Sequence, residues 1–173
     1  MGAVLAALGA PRSAGAFPSV PPPSGYTTLL GFCEGGIDKV TYTPGITNTD
    51  QTIQLAGSVT FSSPCAVTQN KAVTGYTYNY TQVASCSSVD DMSGTCVINY
   101  TSGQSSTWAM DSWFATRRIG QYVGIVSGII SNGPFNGARV WQFVIRNVDN
   151  PSLCATAGGA TQAHGQDSLV IAD

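Results

Sequence analysis

Thr52-Ile53-Gln54-Leu55-Ala56-Gly57-Ser58-Val59-Thr60-Phe61, followed shortly by Cys65, decides how the rest of this chain is read. Ile53, Leu55, Val59 and Phe61 alternate with Gln54, Ala56, Ser58 and Thr60, so one face is apolar and the other polar, as in a strand that covers a core on one side. Gly57 falls on the apolar face, where a missing side chain marks a bulge or lets a neighbouring layer approach closely.

The same alternation recurs on both sides of this stretch. Ile37 to Thr43 reads as a strand stopped by Pro44-Gly45, a pair suited to a tight turn. In Val73 to Val83, Tyr76, Tyr78 and Tyr80 share one face. Thr95 to Thr101 and Ser106 to Phe114 form a hairpin around residues 102–105, with Trp108 and Trp113 on opposite faces. Tyr122 to Ile130 is apolar enough to be buried on both sides. Ala138 to Arg146 returns with Val140, Gln142 and Val144 on one face and Arg139, Trp141, Phe143 and Ile145 on the other, and Ser168 to Ala172 closes the series. Strands with turn signals between them and no helical period predict an all-β fold, an Ig-like antiparallel β-sandwich spanning residues 31–173.

Composition narrows the function. Charged residues are 9% of the chain, where soluble proteins average about 25%, and hydroxyl and amide side chains replace them. Seven basic and nine acidic residues, scattered along the chain, offer no footprint for nucleic acid or an anionic membrane surface.

The five cysteines, Cys33, Cys65, Cys86, Cys96 and Cys154, are widely spaced without CxxC or metal-ligand patterns, and His164 is the one histidine. No metal site is expected. Wide spacing in an extracellular-looking chain predicts two structural disulfides and one spare thiol, the pairing being left open.

Gly2 to Ala10 is a short apolar run, and Ala14-Gly15-Ala16 has the small-x-small form that signal peptidase accepts. Residues 1–16 therefore read as the tail of a secretory signal, and the chain is expected to be secreted and extracellular. Residues 17–30 begin Phe17-Pro18-Ser19-Val20-Pro21-Pro22-Pro23, a proline density that predicts an extended arm or linker.

Chemistry is sparse. Nucleophilic catalysis needs a base, and His164 stands in a polar stretch read as a loop, without a nucleophile-elbow motif. Glu34 is the single glutamate, and the aspartates fall mostly in turns. With neither a P-loop nor a dinucleotide fingerprint, no cofactor and no enzyme activity are expected. The expected function is a non-catalytic binding or structural module that meets another secreted protein through outward aromatics, Trp108 or Trp113 with Trp141. The alternative is a carbohydrate-binding module that stacks sugars on Tyr76, Tyr78 and Tyr80.

Val40-Thr41-Tyr42-Thr43-Pro44-Gly45-Ile46, the strand from Ile53 to Phe61 leading into Cys65, Gly94-Thr95, and Val126-Ser127-Gly128 through Phe135-Asn136-Gly137-Ala138 together carry a resemblance. Over residues 31–172 the chain resembles a group of small secreted β-sandwich proteins of actinobacteria, mostly without assigned function. The resemblance implies a sandwich fold and an extracellular address. It also implies that Cys33, Cys65, Cys86 and Cys154 are the bonded set, whereas Cys96 occupies a glycine position of the pattern and is the free thiol. A second likeness, of architecture rather than motif, is to adaptor subunits of secreted toxin particles, and it implies an adaptor in an extracellular assembly.

Overall fold

A computed structural model describes residues 25–68, 71–118 and 120–173. Residues 1–24, on which the expected signal tail and the proline-rich part of the expected arm fall, lie outside the described residues. Eight strands follow in order: β1 (Leu29–Ile46), β2 (Gln51–Val67), β3 (Lys71–Ala84), β4 (Val89–Tyr100), β5 (Ser105–Arg118), β6 (Gln121–Asn132), β7 (Arg139–Val148) and β8 (Ala160–Ala172). A short turn of 3-10 helix, Pro151–Ala155, precedes β8, with Asn150 Oδ1 accepting from the Ser152 amide at 3.1 Å.

The expected Ig-like sandwich is overturned. Each strand pairs antiparallel with the next, and β8 pairs back onto β1, so the sheet closes on itself as an eight-stranded barrel. The reason lies in strand length and connection. The alternating segments are the middles of longer strands; Ile37 to Thr43, for instance, is the centre of the 18-residue β1. Connections such as residues 47–50, 85–88 and 101–104 are short enough to join only adjacent antiparallel strands. A long, twisted, sequentially paired sheet removes its two edges by closing, and at eight strands the lumen is just wide enough to be filled by side chains.

The stretch from Ile53 to Phe61 lies in β2 as the alternation requires, with Ile53, Leu55, Val59 and Phe61 buried inside the barrel and Gln54, Ala56, Ser58 and Thr60 outside. Gly57 is not a bulge. It sits opposite Tyr78, and a Cβ there would come within 2.2 Å of Tyr78 Cζ, so the missing side chain is the space that the tyrosine ring occupies. A bulge does occur in β5, where the pairing with β6 steps from Met110↔Gly128 to Ser112↔Ser127 and leaves Asp111 as the extra residue. That insertion shifts the alternation by one, so Trp108 and Trp113 both turn towards the core instead of facing opposite ways. β6 alternates rather than being buried on both faces: Val123, Ile125 and Ile129 are exposed.

Cys33 and Cys65 bridge β1 to β2 with Cα atoms 5.3 Å apart, and Cys86 and Cys154 tie the β3–β4 connection to the 3-10 turn at 6.1 Å. Cys96 is free and buried. Two disulfides belong to an oxidising environment, and no helix among the described residues is long and apolar enough to cross a membrane.

Candidate functional site

Inward positions of the barrel carry polar groups as well as apolar ones, and these groups join into one network. Asp38 on β1, Tyr76, Tyr78 and Tyr80 on β3, Gln142 and Arg146 on β7 and Asp167 on β8 are all buried. Arg146 donates from Nε to Asp38 Oδ2 at 2.8 Å and from Nη2 to Tyr78 Oη at 2.8 Å, while Tyr78 Oη donates to Asp38 Oδ1 at 2.5 Å. Beside this triad, Tyr76 Oη donates to Asp167 Oδ1, Gln142 Nε2 to Asp167 Oδ2 at 2.7 Å, and Tyr80 Oη to Gln142 Oε1 at 2.9 Å. Buried polar groups are tolerated when bonded in this way.

The electrostatics are uneven. One guanidinium faces two carboxyls, and Asp38 already takes it. Burial first, and then the neighbouring Asp38 charge, push the Asp167 carboxyl up to about 8, against the opposing hydrogen bonds from Gln142 and Tyr76. The shift favours the protonated Asp167 carboxyl, which lessens the cost of two buried carboxyls side by side. Burial also raises Tyr76, Tyr78, Tyr80 and the Cys96 thiol well above their ordinary values. Tyr122 is pushed up to about 12 by burial, the two arginines opposing.

A second arginine is buried at the end of β5, where Arg118 is exposed and Arg117 is not. The Arg117 guanidinium lies buried 5.5 Å from the ring centres of both Tyr42 and Tyr122. The two rings hold it by cation–π attraction.

These positions settle where the expected binding residues stand. Tyr76, Tyr78 and Tyr80 are 1%, 1% and 3% exposed. Their rings are part of the filled interior and offer no surface platform for sugars. Trp108 is fully buried and cannot meet a partner, and Trp113 is half-buried against the core. Trp141 does lie on the outer wall, but Tyr26 covers it edge-on at 4.9 Å, with Val170 and Ala172 alongside.

What remains outside is an asymmetric wall. Outward positions on β2, β3 and β4 carry Gln54, Thr60, Thr77, Asn79, Thr95 and Asn99, a hydroxyl and amide surface. The opposite side is apolar. Register places Phe114, Ile125 and Phe143 directly across β5, β6 and β7, with Val123 and Ile145 forming the next row. Phe114 is 73% exposed. At one end this patch meets the Asp111–Arg139 ion pair at 2.7 Å, and at the other a hydrogen bond from Gln121 Nε2 to Asn147 Oδ1 at 3.2 Å. An apolar centre with a polar rim is the anatomy of a protein-binding surface. A barrel in lipid instead carries its apolar band around the whole circumference. The sequence reading missed this patch because it took β6 as buried on both faces. The exposed half of the alternation in Val123, Ile125 and Ile129 was the available signal.

His164 is on a strand rather than a loop. It points outward from β8, with Nδ1 2.6 Å from Asp149 Oδ1, over an open groove of about 530 Å³ that Lys39, Ser58 and Gln162 also line. An oriented imidazole is half of a nucleophilic machinery, yet among the described residues no hydroxyl or thiol hydrogen-bonds to the ring. No group of three or more His, Cys, Asp or Glu among the described residues is placed to hold a metal ion.

No protein-family model, curated protein or solved structure matches this chain.

Proposed function

We propose that the protein is a secreted, non-catalytic binding module that works through protein–protein contacts made by the outer face of β5, β6 and β7. The observation that carries this reading is the row Phe114–Ile125–Phe143, which stands in register on three adjacent strands, with the hydroxyl and amide wall of β2 to β4 on the other side of the barrel. A filled interior supports it further, because a barrel whose lumen is occupied by its own tyrosines, arginines and carboxyls has its outside left for recognition. Rigid walls closed by two disulfides suit a part that presents a fixed surface in an extracellular assembly, the adaptor role. The partner is a protein with an apolar contact surface, since the face holds no basic cluster for nucleic acid.

The test is to immobilise the oxidised protein and expose it to native culture medium. A stoichiometric partner that is retained by wild type and by Thr77→Asp on the polar side, and lost with Phe114→Asp, is the expected result. Capture that does not respond to Phe114→Asp, or no partner at all, overturns the reading. Phe114 is solvent-exposed, so the substitution leaves folding intact.

A further inference from the structure

We propose that the open groove over β8, β1 and β2 is a second binding site, and that it takes an acidic sugar of a uronate-bearing polysaccharide. The groove lies on a different wall from the β5–β7 face and does not depend on the reading of that face.

Register builds the site. His164 on β8 stands opposite Lys39 on β1, and Lys39 stands opposite Ser58 on β2. Three outward side chains therefore form one row, with Cβ atoms about 5 Å apart. The next row is Gln162, Thr41 and Ala56. The short Ala56 side chain, with Gly57 beside it, leaves a depression between the longer ones, and the groove of about 530 Å³ has the size of a small-ligand site.

The groups around it have bonding capacity to spare. Lys39 is exposed and forms no ion pair among the described residues. Asp149 is fixed against β8 by its amide, which donates to the Gln162 carbonyl at 3.1 Å. Its Oδ1 in turn lies 2.6 Å from His164 Nδ1 and orients the imidazole. The Nε2 of that ring has no hydrogen-bond partner among the described residues and is left for a ligand.

Chemistry selects the ligand class. Lys39 supplies a positive charge for one anionic group, and His164 Nε2 a hydrogen bond beside it. The Asp149 carboxylate in the same groove repels a dense polyanion and accepts hydroxyl protons, while the Gln162 amide and the Ser58 hydroxyl both donate and accept. One carboxylate flanked by several hydroxyls, the pattern of a uronic acid, satisfies all of these groups together. A peptide carboxylate brings no hydroxyls to match them. The two rows continue onto β3 as Thr77, opposite Ser58, and Asn79, opposite Ala56, so neighbouring sugars of the polymer meet further hydroxyl and amide partners.

Isothermal titration of the full oxidised chain with oligomers of polygalacturonate, alginate and hyaluronate tests the site, with chitin oligomers and poly-glutamate as comparisons. Saturable binding to at least one uronate oligomer, tighter than to either comparison, is the expected result. Lys39→Met and His164→Ala should each weaken it about tenfold, as for loss of a hydrogen bond to a charged group. Lys71→Met removes the same charge from the start of β3, where Lys71 Nζ donates to Gln104 Oε1 at 2.6 Å, and should leave binding unchanged. No binding to any of the three uronates by the wild-type protein overturns the proposal. So does binding matched by poly-glutamate or chitin oligomers, or binding indifferent to Lys39→Met. Lys39 and His164 are exposed, and far-ultraviolet circular dichroism confirms that each variant is folded.

Discussion

Arg146 and Asp38 form an ion pair at 2.7 Å across a strand that places no side chain between them. Both stand directly opposite Gly165 of β8, Arg146 from β7 and Asp38 from β1. Glycine is required there for space, since a Cβ at 165 would lie 2.0 Å from the Ile145 carbonyl oxygen and 2.7 Å from Arg146 Cα. Asp38→Ala is expected to cost about 3–5 kcal/mol, the penalty of leaving a buried guanidinium unpaired. Asp38→Leu with Arg146→Met should recover most of that loss. Urea unfolding of the three proteins measures it, and a single-mutant cost under about 1 kcal/mol sinks the assignment.

Asp167 makes stability depend on pH in the direction opposite to most carboxylates. Its carboxyl holds its proton up to about 8 in the folded protein, against an ordinary aspartate value of 3.8 in the unfolded chain. Between those values the native state binds the extra proton, so stability falls as pH rises from about 4 to about 8 and, for this group, is level above that. Asp167→Asn keeps a neutral side chain among Tyr76, Gln142, Asp38 and Arg146 and should flatten the slope across this window. Thermal melts from pH 4 to 9 on both proteins decide it, an unchanged slope in Asp167→Asn being the contrary result.

Gly57→Ala tests whether the tyrosine row needs the gap in β2. The added methyl meets the Tyr78 ring and moves its hydroxyl away from Asp38 and Arg146. A loss of about 1–3 kcal/mol is expected, as for other overpacked cores, together with a changed near-ultraviolet circular dichroism signal. At Gly35, where a Cβ has nothing within 4 Å but φ is +69°, Gly→Ala acts through backbone strain alone and leaves the aromatic signal unaltered.

Thiol chemistry separates the cysteines. Cys96 is fully buried, with its thiol held well above its ordinary pKa by desolvation and then by the neighbouring Asp167. The native, unreduced protein should give no reaction with a thiol reagent and one equivalent after denaturation. Replacing Cys86 and Cys154 by serine opens a 68-residue span and should cost about 4 kcal/mol by the chain-entropy model, measured by calorimetry in the absence of reductant.

Much of the fold was legible because the signal was local. Ile53, Leu55, Val59 and Phe61 declare the inner face of β2 unaided, and Val140, Gln142 and Val144 were grouped on one face of β7, where they lie. Two kinds of error followed from non-local physics. Closure depends on β1 meeting β8, which leaves no mark in either strand's own pattern. The β5 bulge at Asp111 inserts one residue without a glycine or proline to announce it, and so brings Trp108 and Trp113, expected on opposite faces, to the same side. The candidate site was less legible still. In the sequence the aspartates read mostly as turn residues and Asp38, Arg146 and Asp167 are not singled out, although Asp38 alternates in step with the buried Val40 and Tyr42, and Arg146 with Val140, Gln142 and Val144. That the three meet inside one network follows from register across strands, as at Gly165.

The seam between β1 and β8 also sets an order on folding. Leu29 pairs with Ala172 and Phe32 with Val170, so β1 keeps one side unsatisfied until β8 has been made. Seven of the eight pairings join consecutive strands and are local, whereas β1 to β8 closes across the whole sheet, and until it forms the sheet has two unpaired edges. The hydroxyl-rich, weakly charged outer strands β2 to β4 keep the growing sheet wetted during that interval, and the first strand waits on the last.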